Sequence, residues 1–144
     1  SKGADHPDIA WIAVNYATAL RASGDLEQAA QWGQRSVEIR ETRLGPEHPH
    51  LAMALHGLAD TRLAQGQLEA ARDLASRALA IWEKVHGPSS GQLIAGIATL
   101  AEAHQRLGDH KAAAELAQRG LDILEASPVK TPGKQAHLHS IVAA

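Results

Sequence analysis

The 144-residue chain contains no cysteine and no phenylalanine, and its only aromatic residues are three tryptophans and one tyrosine. The lack of cysteine excludes disulfides, thiolate zinc sites and cysteine nucleophiles. No apolar run approaches the roughly 18 residues that a transmembrane helix needs, and no signal peptide opens the chain. A core that is poor in aromatic residues and rich in alanine and leucine favours closely packed helices over sheets.

An excess of charge of either sign is also lacking, because 14 Lys and Arg residues face 16 Asp and Glu residues. A net charge of −2 argues against nucleic acid and anionic membranes as partners. The length fits one domain. From these absences we expect a cytoplasmic protein that binds neither nucleic acid nor membrane.

The sequence repeats itself with a period of 42 residues, which Gly24, Gly66 and Gly108 show most clearly. Alanine keeps this spacing at 29, 71 and 113, and isoleucine keeps it at 39, 81 and 123. The period predicts three units over 6–47, 48–89 and 90–131, with a partial fourth unit or capping helix over 132–144. Both ends look cut, which predicts a fragment of a larger protein.

Each unit is predicted to form two helices joined by a tight turn. The first helix begins at Pro7 and Pro49, and Ser90 is the expected N-cap in the third unit. A left-handed glycine cap is expected at Gly24 and at its two repeats. The first helix carries an apolar core stripe, made of Ile9, Ala13, Tyr16, Ala17 and Leu20 in unit one and of Leu and Ile at the matching places later.

The second helix carries small residues at the i, i+4 and i+7 positions, which would allow a neighbouring backbone to approach closely. These are Ala29, Gly33 and Ser36 in unit one and their repeats in units two and three. Trp32 is assigned to the core beside them, and partial exposure is expected for Trp82. The charged run from Arg35 through Arg40 to Arg43 is interpreted as a solvated convex face.

These motifs resemble tetratricopeptide repeats, and more narrowly the 42-residue form of kinesin light chains. The resemblance rests on segment 44–49 (LGPEHP), on the Gly and Ala pairs of the turns and on segment 77–84 (RALAIWEK). It covers residues 6–131, although Ser90-Gly91 replaces His-Pro in unit three. The family implies an all-α, right-handed solenoid of about three repeats plus a partial C-terminal helix, whose first helices line a concave groove for peptides.

Counting from the core stripe places a set of side chains on the groove wall. The predicted groove residues are Trp11, Val14, Asn15, Thr18, Met53, His56, Asp60, Thr99, Glu102 and Arg106. The same stripe also contains Arg21, Gly57, Leu63, Ala95 and Ala98. The partial last helix would extend the wall with His137 and Ser140. Because of Asp60 and Glu102, the expected ligand is a neutral or weakly basic, partly apolar segment.

Two groove residues have alternative roles. Asn15 either grips a peptide backbone or makes a local cap, since its side chain can donate and accept. Trp11 either anchors a ligand or shields the open end of the first unit.

Nine histidines raise the question of a metal site. The densest pairs, His48 with His50 and His137 with His139, are two residues apart and do not share a helix face. No phosphate loop, nucleophile elbow or dinucleotide motif is present. We therefore expect no metal, no cofactor and no enzyme activity.

Three hypotheses follow for the function. The first is a peptide- or protein-binding module that uses the groove, in a parent protein such as a bacterial regulator, a kinase or a nucleotide-switch ATPase. The second is self-association, or an intramolecular scaffold, through the exposed repeat ends. The third, an enzyme or metal protein, requires His56, Asp60 and Glu102 to converge on one pocket.

Overall fold

The computed structural model describes residues 7–126 and residue 141, with the side chains of residues 7, 8 and 10 left aside. This part of the chain contains six α-helices, one short 3₁₀ turn and no strand. The helices are α1 (Pro7–Ser23), α2 (Leu26–Leu44), α3 (Pro49–Ala64), α4 (Leu68–His86), α5 (Ile94–Arg106) and α6 (His110–Ala126), and the 3₁₀ turn is Gly91–Leu93.

Tight glycine turns end five of the helices. Gly66 has a φ of 78°, which places it in the left-handed region that side chains with a Cβ disfavour. Gly24 and Gly108 lie at the matching turns with φ of 91° and 90°. Gly45 and Gly87 end the second helices of the first two pairs with φ near 90°. The left-handed caps expected from the sequence are confirmed.

Polar caps begin the helices at two of the expected places. The Nδ1 atom of His48 accepts the backbone N–H of His50 at 3.0 Å, at the N-terminus of α3. The hydroxyl of Ser90 accepts the N–H of Gln92 at 3.1 Å, but it caps the 3₁₀ turn that precedes α5 rather than the α-helix itself. Each cap satisfies a backbone donor that would otherwise lack a helical partner.

The small stripe of the second helices is buried in every pair, as expected. Ala75 and Ala117 are fully buried, and a Cβ on Gly33 would meet the Leu58 side chain at 3.1 Å. At this distance even a methyl group on Gly33 would require the Leu58 side chain to shift, because interiors are packed nearly as densely as organic crystals. The stripe therefore lets α2, α4 and α6 lie close to the neighbouring helices.

The helices stack in chain order into an all-α repeat solenoid. Each helix packs against the next one along the chain, and the first helices α1, α3 and α5 also touch one another in turn. The core stripe of α3, of α5 and of the 3₁₀ turn before α5 is buried, including Leu51 and Leu55, Ile97, and Leu93 in the turn. Ile141 is buried against the cluster that α5 and α6 form. The rest of the predicted helix over 132–144 lies outside the described residues.

Ion pairs of the same type join the second helices across each junction. Arg77 on α4 pairs with Glu41 on α2 at 2.6 Å, and Arg119 on α6 pairs with Glu83 on α4 at 2.8 Å. Both pairs are partly exposed to solvent, so each contributes only about 0–1 kcal/mol to stability.

Outside the groove wall, three assignments from the sequence are wrong. Tyr16 is 45% exposed instead of buried, because no described helix covers the outer side of α1. Trp32 is half-buried and meets the Tyr16 ring edge-on, with the ring centroids 5.4 Å apart. Arg40 is buried, with 2% of its surface exposed, and does not lie on a solvated face.

Candidate binding groove

The first helices α1, α3 and α5 form one continuous surface, called here the groove. Trp11 on α1 and Met53 on α3 occupy the same repeat position and are 40% and 39% exposed. Val14, one turn after Trp11, is half-buried. Two large apolar side chains on neighbouring helices therefore remain open to solvent at the N-terminal end of the groove.

A dimple of about 20 Å³ lies between α1 and α3, and Val14, Thr18, Met53 and Gly57 are among its lining residues. Gly57 has open space where a side chain would stand. Its carbonyl accepts a hydrogen bond from the guanidinium of Arg21 at 3.2 Å. The missing side chain leaves open space beside α3 at the middle of the groove, while the Gly57 carbonyl is already bonded by Arg21 and by the Thr61 hydroxyl.

Asn15 and Thr18 are exposed on α1 and differ in how they are bonded. The Thr18 hydroxyl donates to the carbonyl of Val14 in its own helix at 2.9 Å. The Asn15 side chain makes no hydrogen bond with any residue in the described part of the chain, so its amide donors and acceptor remain for water or a ligand.

A polar network centred on Asp60 joins the three first helices. The Thr99 hydroxyl on α5 donates to Oδ1 of Asp60 on α3 at 2.9 Å. Because that proton is used, the same hydroxyl accepts the hydrogen bond from Nε2 of His56 at 3.0 Å, so Nε2 carries the proton. Arg21 on α1 approaches the other carboxylate oxygen at 3.8 Å.

Thr99 corrects one assignment of the groove wall, because only 7% of its surface is exposed. It links Asp60 and His56 beneath the surface and does not face a ligand. His56 is half-buried and packs on the ring of Trp82 at a centroid distance of 5.5 Å, while Trp82 is itself half-buried as expected. The middle of the groove is thus held by side chains that already have partners.

The side chains at the far end of the groove, near the C-terminus of α5, make fewer polar contacts than those in the middle. Glu102 is half-buried and forms no ion pair with any described residue. Arg106 is exposed and donates to the carbonyl of Leu63 at 3.1 Å. Leu63, expected on the groove wall, is buried instead. Ala95 is exposed and Ala98 half-buried, while His137 and Ser140 lie outside the described residues.

A second cluster at the N-terminal end of the groove was missed by the sequence interpretation. In this cluster, called the Arg40 corner, the guanidinium lies 4.5 Å from the centroid of the Trp11 ring. Its Nη1 donates to the carbonyl of His50 at 2.5 Å, whereas its buried Nη2 has no hydrogen-bond partner. Trp11 also meets His50 edge-on at 5.0 Å, and His50 meets His48 at 4.9 Å.

Burial lowers the pKa of Arg40. The pKa of His50 is also lowered, first by burial and then by its neighbours His48 and Arg40. Among the described residues, no carboxylate pairs with Arg40. The repeat could have revealed this cluster, because position 40 matches Trp82 and Leu124. A charged residue at a repeat position that is otherwise apolar indicates a role other than core packing.

The outer side of α1, called here the front face, exposes apolar residues as well. Ile12 is 63% exposed, whereas Ala54, at the matching position of the second unit, is buried. At the matching position of the third unit, a Cβ on Gly96 would lie 3.1 Å from the Trp82 side chain. Tyr16 is open, whereas Leu58 is covered by α2. The front face therefore resembles the surfaces by which the later first helices pack against the preceding second helix.

A large cavity in the described part of the chain lies outside the groove. It has a volume of about 1000 Å³ and is lined by polar residues of α2 and of the end of α3, including Gln34, Arg35, Glu38 and Arg62. Within the described ranges, no three His, Cys, Asp or Glu side chains form a cluster that would hold a metal, and Glu102 has no hydrogen bond or ion pair with His56 or Asp60. No described helix has the length and apolarity to cross a membrane.

The sequence matches the family model of the tetratricopeptide repeat over residues 8–81 and 50–126. No curated protein matches the chain. A kinesin-light-chain-like protein of nearly identical TPR-like repeats from Podosopora anserina is similar in structure, with a TM-score of 0.84 at 25% identity over 95% of this chain and 65% of that one.

Two further solved structures share the fold. BtubC (BKLC) from P. vanneervenii has a TM-score of 0.86 at 18% identity, over 94% of this chain and 55% of that one. A TPR-like protein from Chlorobium tepidum has a TM-score of 0.73 at 22% identity, over 93% of this chain and 90% of that one. The chain thus spans just under two thirds of the Podosopora protein.

Proposed function

The chain belongs to the tetratricopeptide repeat family, in its kinesin-light-chain-like form, and we propose that it binds an extended segment of a partner protein in the groove. Repeats of this family are generally non-catalytic protein-interaction modules. The partner segment lies across α1, α3 and α5, with its apolar side chains at the N-terminal end of these helices.

One observation carries the proposal: large apolar side chains and an unbonded amide stay exposed on neighbouring first helices. Trp11 and Met53 are about two-fifths exposed, and Asn15 beside them has no described partner. Tryptophan and methionine are common anchors of protein interfaces, and an unbonded amide can grip a peptide backbone through its donor and acceptor.

The charges in the groove refine the ligand that the sequence predicted. Asp60 was expected to attract a basic segment, but Arg21 and Thr99 already engage both of its carboxylate oxygens. Glu102 is left as the acid without an ion pair in the described part of the groove. We therefore propose an apolar ligand segment whose basic character, if any, is confined to the end near Glu102.

The test is a selection from a random-peptide display library against the protein, with retesting on Asn15→Ala/Met53→Ala. Neither side chain is buried, so the double variant should fold like wild type. A consensus peptide that binds wild type at least tenfold more tightly than the double variant supports the proposal. Selection of no consensus sequence, or equal affinity for both proteins, contradicts it.

The front face favours a second candidate function, which is docking of another helix pair onto α1. Ile12 and Tyr16 are open at positions where the later pairs are buried against the preceding second helix. The other helix pair would belong to a second copy or to the rest of a larger bacterial signalling protein. Cytoplasmic location likewise remains a prediction.

Sedimentation velocity over a range of protein concentrations tests self-association. Ile12→Glu/Tyr16→Glu should abolish any concentration-dependent rise in mass while leaving groove ligands unaffected. A constant monomer mass for wild type would exclude a second copy as the occupant.

A further inference from the structure

We propose that the Arg40 corner binds a carboxylate group of the partner segment, which fixes one end of that segment in the groove. The inference rests on the proposed groove function for the identity of the partner. The site itself is built from this chain alone, by Trp11 of α1, Arg40 of α2 and the two histidines at the start of α3.

The incomplete bonding of Arg40 is the first argument. The side chain is 98% removed from solvent, yet Nη2 has no hydrogen-bond partner and no described carboxylate balances the charge. Removing a guanidinium from water is costly unless an anion or several acceptors replace the water. The His50 carbonyl oxygen and the face of the Trp11 ring replace only part of the water that the guanidinium has lost.

The repeat supplies the second argument. The positions that match Arg40 hold Trp82 and Leu124, of which Trp82 is half-buried and Leu124 buried, and both pack in the apolar core. An apolar residue therefore satisfies the fold at this place. Arginine adds no packing that leucine or tryptophan lacks, but it does add five N–H donors in a planar fork that suits a carboxylate.

The surroundings are positive and carry further donors. The Nδ1 atom of His48 accepts a backbone N–H, so the proton of its neutral ring resides on Nε2, which is a donor. Burial is the main cause that lowers the pKa of His50, and the positive charge of Arg40 adds to it, so a bound anion would act in the opposite direction. The site also lies at the N-terminus of α3, where the helix dipole favours an anion.

Access to Arg40 is controlled by Trp11. The indole ring covers the guanidinium and 40% of the Trp11 surface is exposed, so the proposal requires this side chain to turn away from Arg40 toward the solvent. A carboxylate that replaces the ring pairs with Nη2, while the freed indole packs on the apolar part of the same ligand. The corner thus joins one charged and one apolar anchor at the same end of the groove.

The test uses three small probes in NMR titrations that follow the Trp11 indole and His50 ring signals. N-acetylglycine offers a terminal carboxylate, N-acetylglutamate α-amide a side-chain carboxylate, and N-acetylglycinamide no charge. Both acids should give saturable shifts at constant ionic strength, and the neutral amide should give none. The tighter acid shows whether a chain terminus or an acidic side chain is the natural ligand.

Arg40→Leu introduces the residue type that the third unit has at the matching position. This variant should lose at least tenfold in affinity for both acids and should melt at a higher temperature than wild type without ligand. Arg40→Gln serves as a second variant, because it keeps a donor for the His50 carbonyl and removes the charge. Saturable binding that survives in both variants, or the absence of saturable shifts in wild type, overturns the proposal. Tighter binding of inorganic phosphate than of either acid overturns the assignment to a carboxylate.

These outcomes are separate from those of the groove test. Weaker binding of the consensus peptide to Asn15→Ala/Met53→Ala tests the groove, whereas binding of the small acids tests only the Arg40 corner. A failed display selection with successful acid binding would retain the anion site and reject the extended segment.

Discussion

Thr99 on α5 donates its hydroxyl proton to Asp60 on α3 at 2.9 Å, which connects two neighbouring first helices beneath the surface of the groove. Since the same hydroxyl accepts from His56, one small side chain satisfies two polar groups. The relative position of α3 and α5 therefore depends on a hydrogen-bonded link as well as on apolar packing.

Replacing Thr99 with valine should destabilise the protein by about 1–3 kcal/mol, because Asp60 and His56 each lose a partner in a half-buried place. Chemical denaturation followed by circular dichroism measures the change. Thr18→Val is the matched control, since the exposed Thr18 hydroxyl bonds only within its own helix, and we expect a change below about 0.5 kcal/mol. Equal effects of the two variants would contradict the role of the network.

Replacing Gly66 with valine should lower stability by at least about 1–2 kcal/mol, since φ at this turn is 78° and a β-branched residue is strained there. Gly57→Ala is the control, because Gly57 lies within α3 with open space beside it. Alanine there should stabilise the helix by about 0.5–1 kcal/mol. Thermal melts should show opposite signs for the two variants, and the same sign for both would refute the assignment of the cap.

Replacing Ala75 with tryptophan should destabilise the protein by about 1–3 kcal/mol or more, because Ala75 is fully buried in the small stripe of α4. Ala80→Trp places the same side chain on the exposed side of that helix. The melting temperature should fall clearly for the first variant and stay near wild type for the second. A wild-type melt for Ala75→Trp would mean that this helix contact is not close.

Acidification should weaken the fold through His50. The pKa of His50 lies below its ordinary value of 6.5 in the folded protein, so the unfolded chain binds more protons between these two pKa values. The free energy of unfolding should therefore fall as the pH drops through this window, and the His50 contribution should be fully present above pH 6.5.

Denaturation at a series of pH values, for wild type and for His50→Gln, measures this contribution. Wild type should lose more stability on acidification than the variant does. An identical pH dependence of the two proteins would show that His50 does not titrate differently on folding.

The repeat made most of the fold predictable, because it places Leu51 and Leu55 on the core stripe of unit two, places Leu93 and Ile97 at the matching positions of unit three, and puts glycine at each turn. The predicted burial was wrong where the exposure of a side chain depends on the neighbouring helix more than on the residue type. Tyr16 has the right spacing for the core, yet its exposure depends on whether another helix covers α1. The unit boundaries at 47/48 and 89/90 remain predictions.

The groove was less predictable than the fold. The spacing correctly places Trp11, Met53 and Asn15 on the surface of first helices, but it contains no information about hydrogen bonds between helices. It therefore grouped Thr99 with the exposed wall. Arg40 was assigned to solvent because charged residues usually lie there, and only its contacts with Trp11 and His50 show otherwise.

The central claim is that the groove, and not the outer surface, holds the partner segment. The most direct measurement is the dissociation constant of the selected peptide, by fluorescence anisotropy, for wild type and two matched double variants. Asn15→Ala/Met53→Ala changes the groove, and Gln31→Ala/Val85→Ala removes an exposed amide and an exposed apolar group from the second helices. We predict at least tenfold weaker binding for the first variant and wild-type affinity for the second. Wild-type affinity for the groove variant, or weaker binding only for the outer one, would contradict the account.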